Sequence, residues 1–187
     1  MAVDAFVQRW AGDTYRSIPE HRRLDVLDFQ FAGRLQDNRW NVPGERTLYL
    51  AGDSDVALVE FARHIERDRA PALLTETIDR DIFQFTVTID RLLDLRDQQL
   101  LAALSLPQDP TCFADASLAR ATAQFLRRSP TRTQAIIAAS MGFPDDPNRW
   151  VMVLFLENLP YDVHQFITDV RLHSTITVRR LPTSHSP

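Results

Sequence analysis

Residues 38–60 read Asn-Arg-Trp-Asn-Val-Pro-Gly-Glu-Arg-Thr-Leu-Tyr-Leu-Ala-Gly-Asp-Ser-Asp-Val-Ala-Leu-Val-Glu, and they constrain the fold more than any other stretch. Asn41, Pro43 and Gly44 are turn formers. Residues 47–51 form a β-leaning run. Asp53 or Ser54 can N-cap a helix in which Leu58, Phe61, Ala62 and Ile65 recur at i, i+3, i+4 and i+7 as a buried face. Glu60 lies beside that face, so its carboxylate is expected at the edge of the core. Arg39, Tyr49 and Glu60 thus occupy a turn, a strand and a helix, and three such elements can converge on one pocket.

The remaining elements follow from local pattern. Residues 2–11 are expected to form a short amphipathic helix, with Ala5, Phe6, Val7 and Trp10 on or near one face. Residues 15–18 extend into a strand before Pro19, and 24–35 are irregular or short-helical. The segment 82–89 alternates, placing Phe83, Phe85, Val87 and Ile89 on one inward face. A short helix spans 98–106, and 107–113 is loop. Asp115 or Ser117 caps a helix reaching Arg128, with Leu118, Ala121 and Phe125 at helical spacing. Strands are expected at 134–139, 150–157 and 173–178. Helices and strands interleave irregularly, which predicts an α+β fold rather than a regular βαβ array. One domain over 1–182 is expected, followed by a flexible tail at 183–187.

Composition sets the class. A chain of 187 residues with 44% apolar and 25% charged residues is ordinary for a globular domain, one able to bury roughly 70% of its unfolded surface. The formal charge of −4 offers no footprint for nucleic acid. Arg127 and Arg128, adjacent at a helix end, read as solvated or dipole-complementing charges. Cys112 has no disulfide partner, which fits a reducing cytoplasm. Asp4, Gln8 and Arg9 interrupt any signal-peptide core, and the apolar run 151–156 is too short to span a bilayer. The expected location is therefore the cytoplasm. The oligomeric state is left open, a homo-oligomer included.

Several chemistries lack their motifs. The five glycines form no G-x-G-x-x-G or Walker loop, and the five histidines make no close metal-ligand pair. No metal and no resident cofactor are expected. Residues 138–142, Ala-Ala-Ser-Met-Gly, have the outline of a nucleophile elbow. That motif needs a helix directly after the serine, and Pro144, Asp145, Asp146 and Pro147 stand there instead.

Other residues suit the handling of anions and sugars. Arg16 and Arg39 each carry a planar fork that pairs with phosphate or carboxylate; an ion pair within the fold is the ordinary alternative. A fixed Glu60 carboxylate can stabilise positive charge developing on a ribose, or it can be an i,i+4 partner of His64. Tyr49 can stack on a planar ring or donate its hydroxyl to phosphate, or be core. Ser140, just past an apolar strand, can hydrogen-bond a phosphate or ribose oxygen, or cap local backbone.

The block Arg39-Trp40-Asn41, Pro43-Gly44, Leu48 to Ala51 and Ala57 to Glu60 resembles, without a gap, the signature of the RES-domain family. Tyr15-Arg16 is similar to that family's aromatic-arginine step. Ser140 to Asp145, followed by Arg149-Trp150 and an apolar strand, is similar to its serine segment. Ala138-Ala139 stands where many relatives have Val-Pro, and Val151 where many have asparagine. The resemblance covers residues 15–159.

The resemblance implies a compact fold similar to ADP-ribosyltransferases, with small sheets flanked by helices and NAD+ held in a cleft. It implies phosphorolysis of NAD+, with inorganic phosphate as co-substrate, to nicotinamide and ADP-ribose-1″-phosphate. Arg39, Glu60 and Ser140 would then be catalytic, and Arg16 and Tyr49 would bind substrate. It also implies a toxin held in check by an Xre-like antitoxin. A protein mono-ADP-ribosyltransferase and a non-catalytic NAD-binding module are the alternatives.

Overall fold

The alternation of β-formers expected at 82–89 runs further in both directions, producing a strand long enough to serve two neighbours along one edge. In the computed structural model, which describes residues 3–20, 26–30, 32–33, 38–68 and 77–179, this strand is β3 (Thr77–Asp94). The others are β1 (Gln8–Pro19), β2 (Thr47–Ala51), β4 (Ala135–Ala139), β5 (Trp150–Phe155) and β6 (Ile167–Arg179). The helices are α1 (Ser54–Asp68), α2 (Gln98–Ala103) and α3 (Ala116–Arg128).

The strands join one six-stranded sheet in the order β1-β2-β5-β4-β3-β6, and β1 also pairs with β3. β1 runs antiparallel along β3 from Gln8↔Leu92 to Pro19↔Arg80 and touches β2 at Tyr15↔Ala51. The other edge of β3 is shared. Its first part takes β6, and its end takes β4 in the sheet's parallel pairing. The pairings β1-β2-β5-β4-β3-β1 therefore close a five-stranded ring, with β6 attached outside it. Closure pairs both edges of the short strands β2, β4 and β5, which alone would be marginal.

Inside the ring, Leu48, Leu50, Phe85, Val87, Ile89, Ile137, Met152 and Leu154 form one core. The inward face expected for Phe83, Phe85, Val87 and Ile89 is the one observed. On the outer side, Ile136, Ala138, Val153 and Phe155 of β4 and β5 pack with Leu100 and Leu101 of α2, Ala119, Ala123 and Leu126 of α3, Phe113 and Trp40. The fold is α+β. Among the described residues no helix is long and apolar enough to cross a membrane.

Three local expectations are corrected. The helix expected over 2–11 is a 3-10 turn, Val3–Phe6, followed by β1. Pairing with β3 claims these residues, and tertiary context overrides a short helical pattern. On α3 the period is right but the phase is not. Ala119, Thr122, Ala123, Leu126 and Arg127 are buried, whereas Phe125 is 59% exposed. The small side chains Ala119 and Ala123 let the helix approach the sheet. Arg127 is accepted there because it bonds Glu157 at 2.8 Å and Thr47 at 3.0 Å and lies over the Phe155 ring. On α1, among the described side chains, Val56 and Ala57 are buried, while Leu58, Phe61 and Ala62 are half-buried, and the Ile65 side chain lies outside the described residues.

Capping resolves in favour of the aspartates. Asp53 accepts from the Val56 N–H, and Asp115 from those of Ser117 and Leu118. The loop expected over 107–113 contains a 3-10 turn, Pro110–Ala114. The final strand starts earlier than expected, at Ile167. Of the segment 24–35, residues 26–30 and 32–33 are described and are irregular, with turns, as expected; the tail 183–187 lies outside the described residues.

The phase of α3 is checked by two alanine variants in urea unfolding. Leu126→Ala should cost about 2–5 kcal/mol, and Phe125→Ala should stay within ~0.5 kcal/mol. Equal losses would contradict the observed face.

Candidate active site

The turn before β2 has little hydrophobic content and is held by polar contacts. Gly44 adopts φ +93°, and Gly33 (φ +79°) has no room for a side chain, since a Cβ would meet the Glu45 carbonyl. Asn41 is fully buried; its Nδ2 donates to the Val42 carbonyl at 3.1 Å, and its Oδ1 accepts from the Tyr49 hydroxyl at 2.8 Å. The same tyrosine oxygen accepts from the Trp40 N–H at 3.2 Å. Both roles of the Tyr49 hydroxyl are thus taken by the turn. Its pKa is raised, chiefly by burial. The ring lines the cleft, but the expectation of a hydroxyl donated to phosphate gives way to one that joins β2 to the Arg39 turn.

Arg39 is anchored from the other side. Its Nη1 donates to the carbonyls of Phe113 and Ala114 at 2.6 and 2.7 Å, at the end of the 3-10 turn. Trp40 packs on the Phe113 ring at 4.9 Å. The guanidinium is thereby oriented by backbone oxygens before any ligand arrives.

A cleft of about 820 Å³ opens at this end of the ring, and Arg16, Arg39, Tyr49, Glu60, Phe61 and Arg63 are among its walls. β1 supplies Arg16, β2 Tyr49, and α1 Glu60. Ser140 is not on the wall. It is fully buried at the end of β4, and its hydroxyl donates to Glu60 Oε1 at 2.6 Å. A hydrogen bond this short to a carboxylate is of the strong, charge-assisted kind. Ser140 therefore acts on the cleft by fixing the carboxylate. The His64 side chain lies outside the described residues.

The serine loop is fastened to α1 a second time. Arg149 pairs with Asp53 at 2.8 Å and with Asp55 at 3.3 Å, and these carboxylates raise its pKa. Its guanidinium also lies 5.0 Å from the Phe143 ring centroid.

Positive charge dominates the opposite wall. Arg16 makes no ion pair among the described residues; its guanidinium lies 5.7 Å from the Phe29 ring centroid, and burial lowers its pKa to about 10. Arg80 stands behind it, donating to the Ser17 hydroxyl at 3.0 Å and carbonyl at 2.8 Å and stacking on Phe61 at 3.9 Å. Burial and then the charge of Arg16 lower the Arg80 pKa to about 10. Two guanidiniums side by side, each with a lowered pKa, suit an anionic ligand.

Sequence pattern missed Arg80, Arg63 and Phe61. Arg63 and Phe61 follow from Glu60 by helical spacing, i+3 and i+1. Arg80 had no local signal, since only the β1–β3 register brings it beside Ser17. Among the described residues no three His, Cys, Asp or Glu side chains are grouped to hold a metal ion.

The fold and cleft define a single-domain α+β protein whose arginine-lined site is built around one clasped glutamate. Residues 14–174 match the RES domain, and the chain belongs to the RES domain family. It is similar to a chain in the crystal structure of the M. tuberculosis MbcT-MbcA toxin-antitoxin complex, with a TM-score of 0.60 and 21% identity over 95% of this chain and 90% of that one. At that identity the likeness is one of fold. No curated protein sequence matches the chain.

Two cleft residues should move stability in opposite directions. Folding disfavours the charged form of Arg16. That penalty is present at neutral pH and is relieved only as pH rises through about 10. Arg16→Met should therefore raise the Tm of the free protein by about 2–4 °C, the shift that ~1 kcal/mol produces at this size. Tyr49→Phe leaves the buried Asn41 oxygen and the Trp40 N–H short of a partner and should cost about 1–3 kcal/mol. Calorimetry of both variants checks the two signs.

Proposed function

We propose that the protein is an NAD+-degrading toxin that cleaves its substrate by phosphorolysis. The observation that carries this reading is the convergence of Arg16, Arg39, Tyr49 and Glu60 on one cleft, with Glu60 held by Ser140. Membership of the RES domain family supports it.

The arginines suit the pyrophosphate of NAD+ and the incoming phosphate, since each guanidinium binds phosphate oxygens through a fork. The Tyr49 and Phe61 rings suit the flat nicotinamide and adenine. A phosphate oxygen attacks C1″ of the nicotinamide ribose as the C–N bond breaks. The bonding pair returns to the ring nitrogen, releasing neutral nicotinamide and leaving ADP-ribose-1″-phosphate. Positive charge builds on the ribose between these events. Glu60, fixed in advance, stabilises it without reorganisation, which is the main source of electrostatic catalysis.

The similar fold in a toxin-antitoxin complex supports a protein antitoxin as partner, and the family resemblance adds that it is Xre-like and covers the cleft. An NAD+ substrate and an antitoxin partner fit a cytoplasmic location.

Purified protein should release nicotinamide from NAD+ only when inorganic phosphate is supplied. Glu60→Gln should lower kcat on the order of 10²–10³-fold. Release that is indifferent to phosphate would move the reading to hydrolysis or to transfer onto a protein side chain. Folded protein that releases nothing would sink it.

A further inference from the structure

Gly142 lies two residues beyond Ser140, at the start of the loop joining β4 to β5. Its N–H points at the same Glu60 oxygen, at 3.3 Å, and at the Ser140 hydroxyl, at 3.1 Å. Its backbone does not demand glycine, because the positive-φ glycines among the described residues are Gly33 and Gly44. Space does. A Cβ at this position would stand 2.4 Å from Val59 Cγ1, and 3.3 Å from both Val59 Cβ and the Ser140 hydroxyl.

Carbon atoms pack best at about 3.5–4.0 Å, so the first of these contacts cannot be met without movement. Val59 cannot readily supply it. As a β-branched residue inside a helix it is confined to one preferred χ1 rotamer, whereas the 3.3 Å contacts with its Cβ and with the Ser140 hydroxyl ask for only a few tenths of an ångström. The remaining relief is to part the serine loop from α1 at the residue next to Glu60. That parting lengthens both hydrogen bonds to the Glu60 carboxylate.

We infer that Gly142 is a positioning residue for Glu60: its missing side chain lets the serine loop seat against Val59, and its N–H and the Ser140 hydroxyl then fix one carboxylate oxygen. The inference rests on the reading of Glu60 as the group that meets the reacting ribose. Val59 sets the tolerance of the contact, so the two positions form a lock that either can release.

The test is a two-residue cycle on the full chain, read by nicotinamide release and by thermal unfolding. Gly142→Ala should lower kcat on the order of a hundredfold, the usual consequence of an ångström's misplacement, with the KM for NAD+ within about threefold of wild type. Val59→Ala alone should stay close to wild type, and Val59→Ala combined with Gly142→Ala should regain most of the lost kcat. A Gly142→Ala variant as active as wild type would overturn the inference. So would a loss that Val59→Ala does not repair. If wild type itself releases no nicotinamide, the proposed function fails, and the lock is then decided by Tm. A Gly142→Ala deficit removed by Val59→Ala supports it, and additive deficits overturn it.

Discussion

The antiparallel ladder between β1 and β3 is the contact on which everything else rests. It joins residues 8–19 to residues 80–92, and by doing so it turns an open row of strands into a ring. Without it, the row would stay open, β2 would have only its single contact with β1 along one edge, and the inner core would face water. The ladder also fixes the register of Arg16 against Phe83 and sets Arg80 beside Ser17. The cationic wall of the cleft is therefore a by-product of how the ring closes. Because the ladder is long, a slip by one residue would turn every side chain of β1 to the wrong face.

The cleft keeps its two kinds of charge in different conditions. Glu60 is held through one oxygen, which accepts from a hydroxyl and a backbone N–H. Arg16 is left half-buried with an aromatic ring for company, and its pKa is depressed for that reason. A carboxylate oriented in this way suits a group that must face developing charge. A buried guanidinium with no ion pair among the described residues raises the free energy of the empty protein, and an anion that binds it lowers that energy by mass action. Stability and binding are thus set against each other at one residue, a common arrangement at functional sites.

Much of the site was legible in the sequence because it is local. Turn formers at 41–44, a β-leaning run and a capped helix are each read within a few residues, and they place Arg39, Tyr49 and Glu60 on their elements. What was not legible depends on distance along the chain. The hydroxyl of Ser140 finds Glu60 across 80 residues, and no spacing rule connects them. The use of the Tyr49 hydroxyl was misjudged for a similar reason, since Asn41 reads as a turn former and its buried oxygen is visible only in space. The α3 face was misphased by one position. There the large Phe125 drew the stripe towards itself, while the sheet admits the smaller Ala119 and Ala123. An arginine at the buried end of a helix, Arg127, also runs against the pattern a sequence reader applies.

The placement of β5 has a consequence for the chain's history in the cell. β2 borders β5 over its whole length, from Thr47↔Phe155 to Ala51↔Val151. The strand that seats Tyr49 is thus completed only by residues far along the chain, with Tyr49 opposite Val153. A chain still on the ribosome, with Arg16, Arg39, Tyr49 and Glu60 all emerged, has neither that neighbour nor the hydroxyl that holds the carboxylate. Bringing such distant segments together carries a loop-closure cost that only later contacts offset. A chain cut short before Trp150 therefore cannot complete the strand that seats Tyr49.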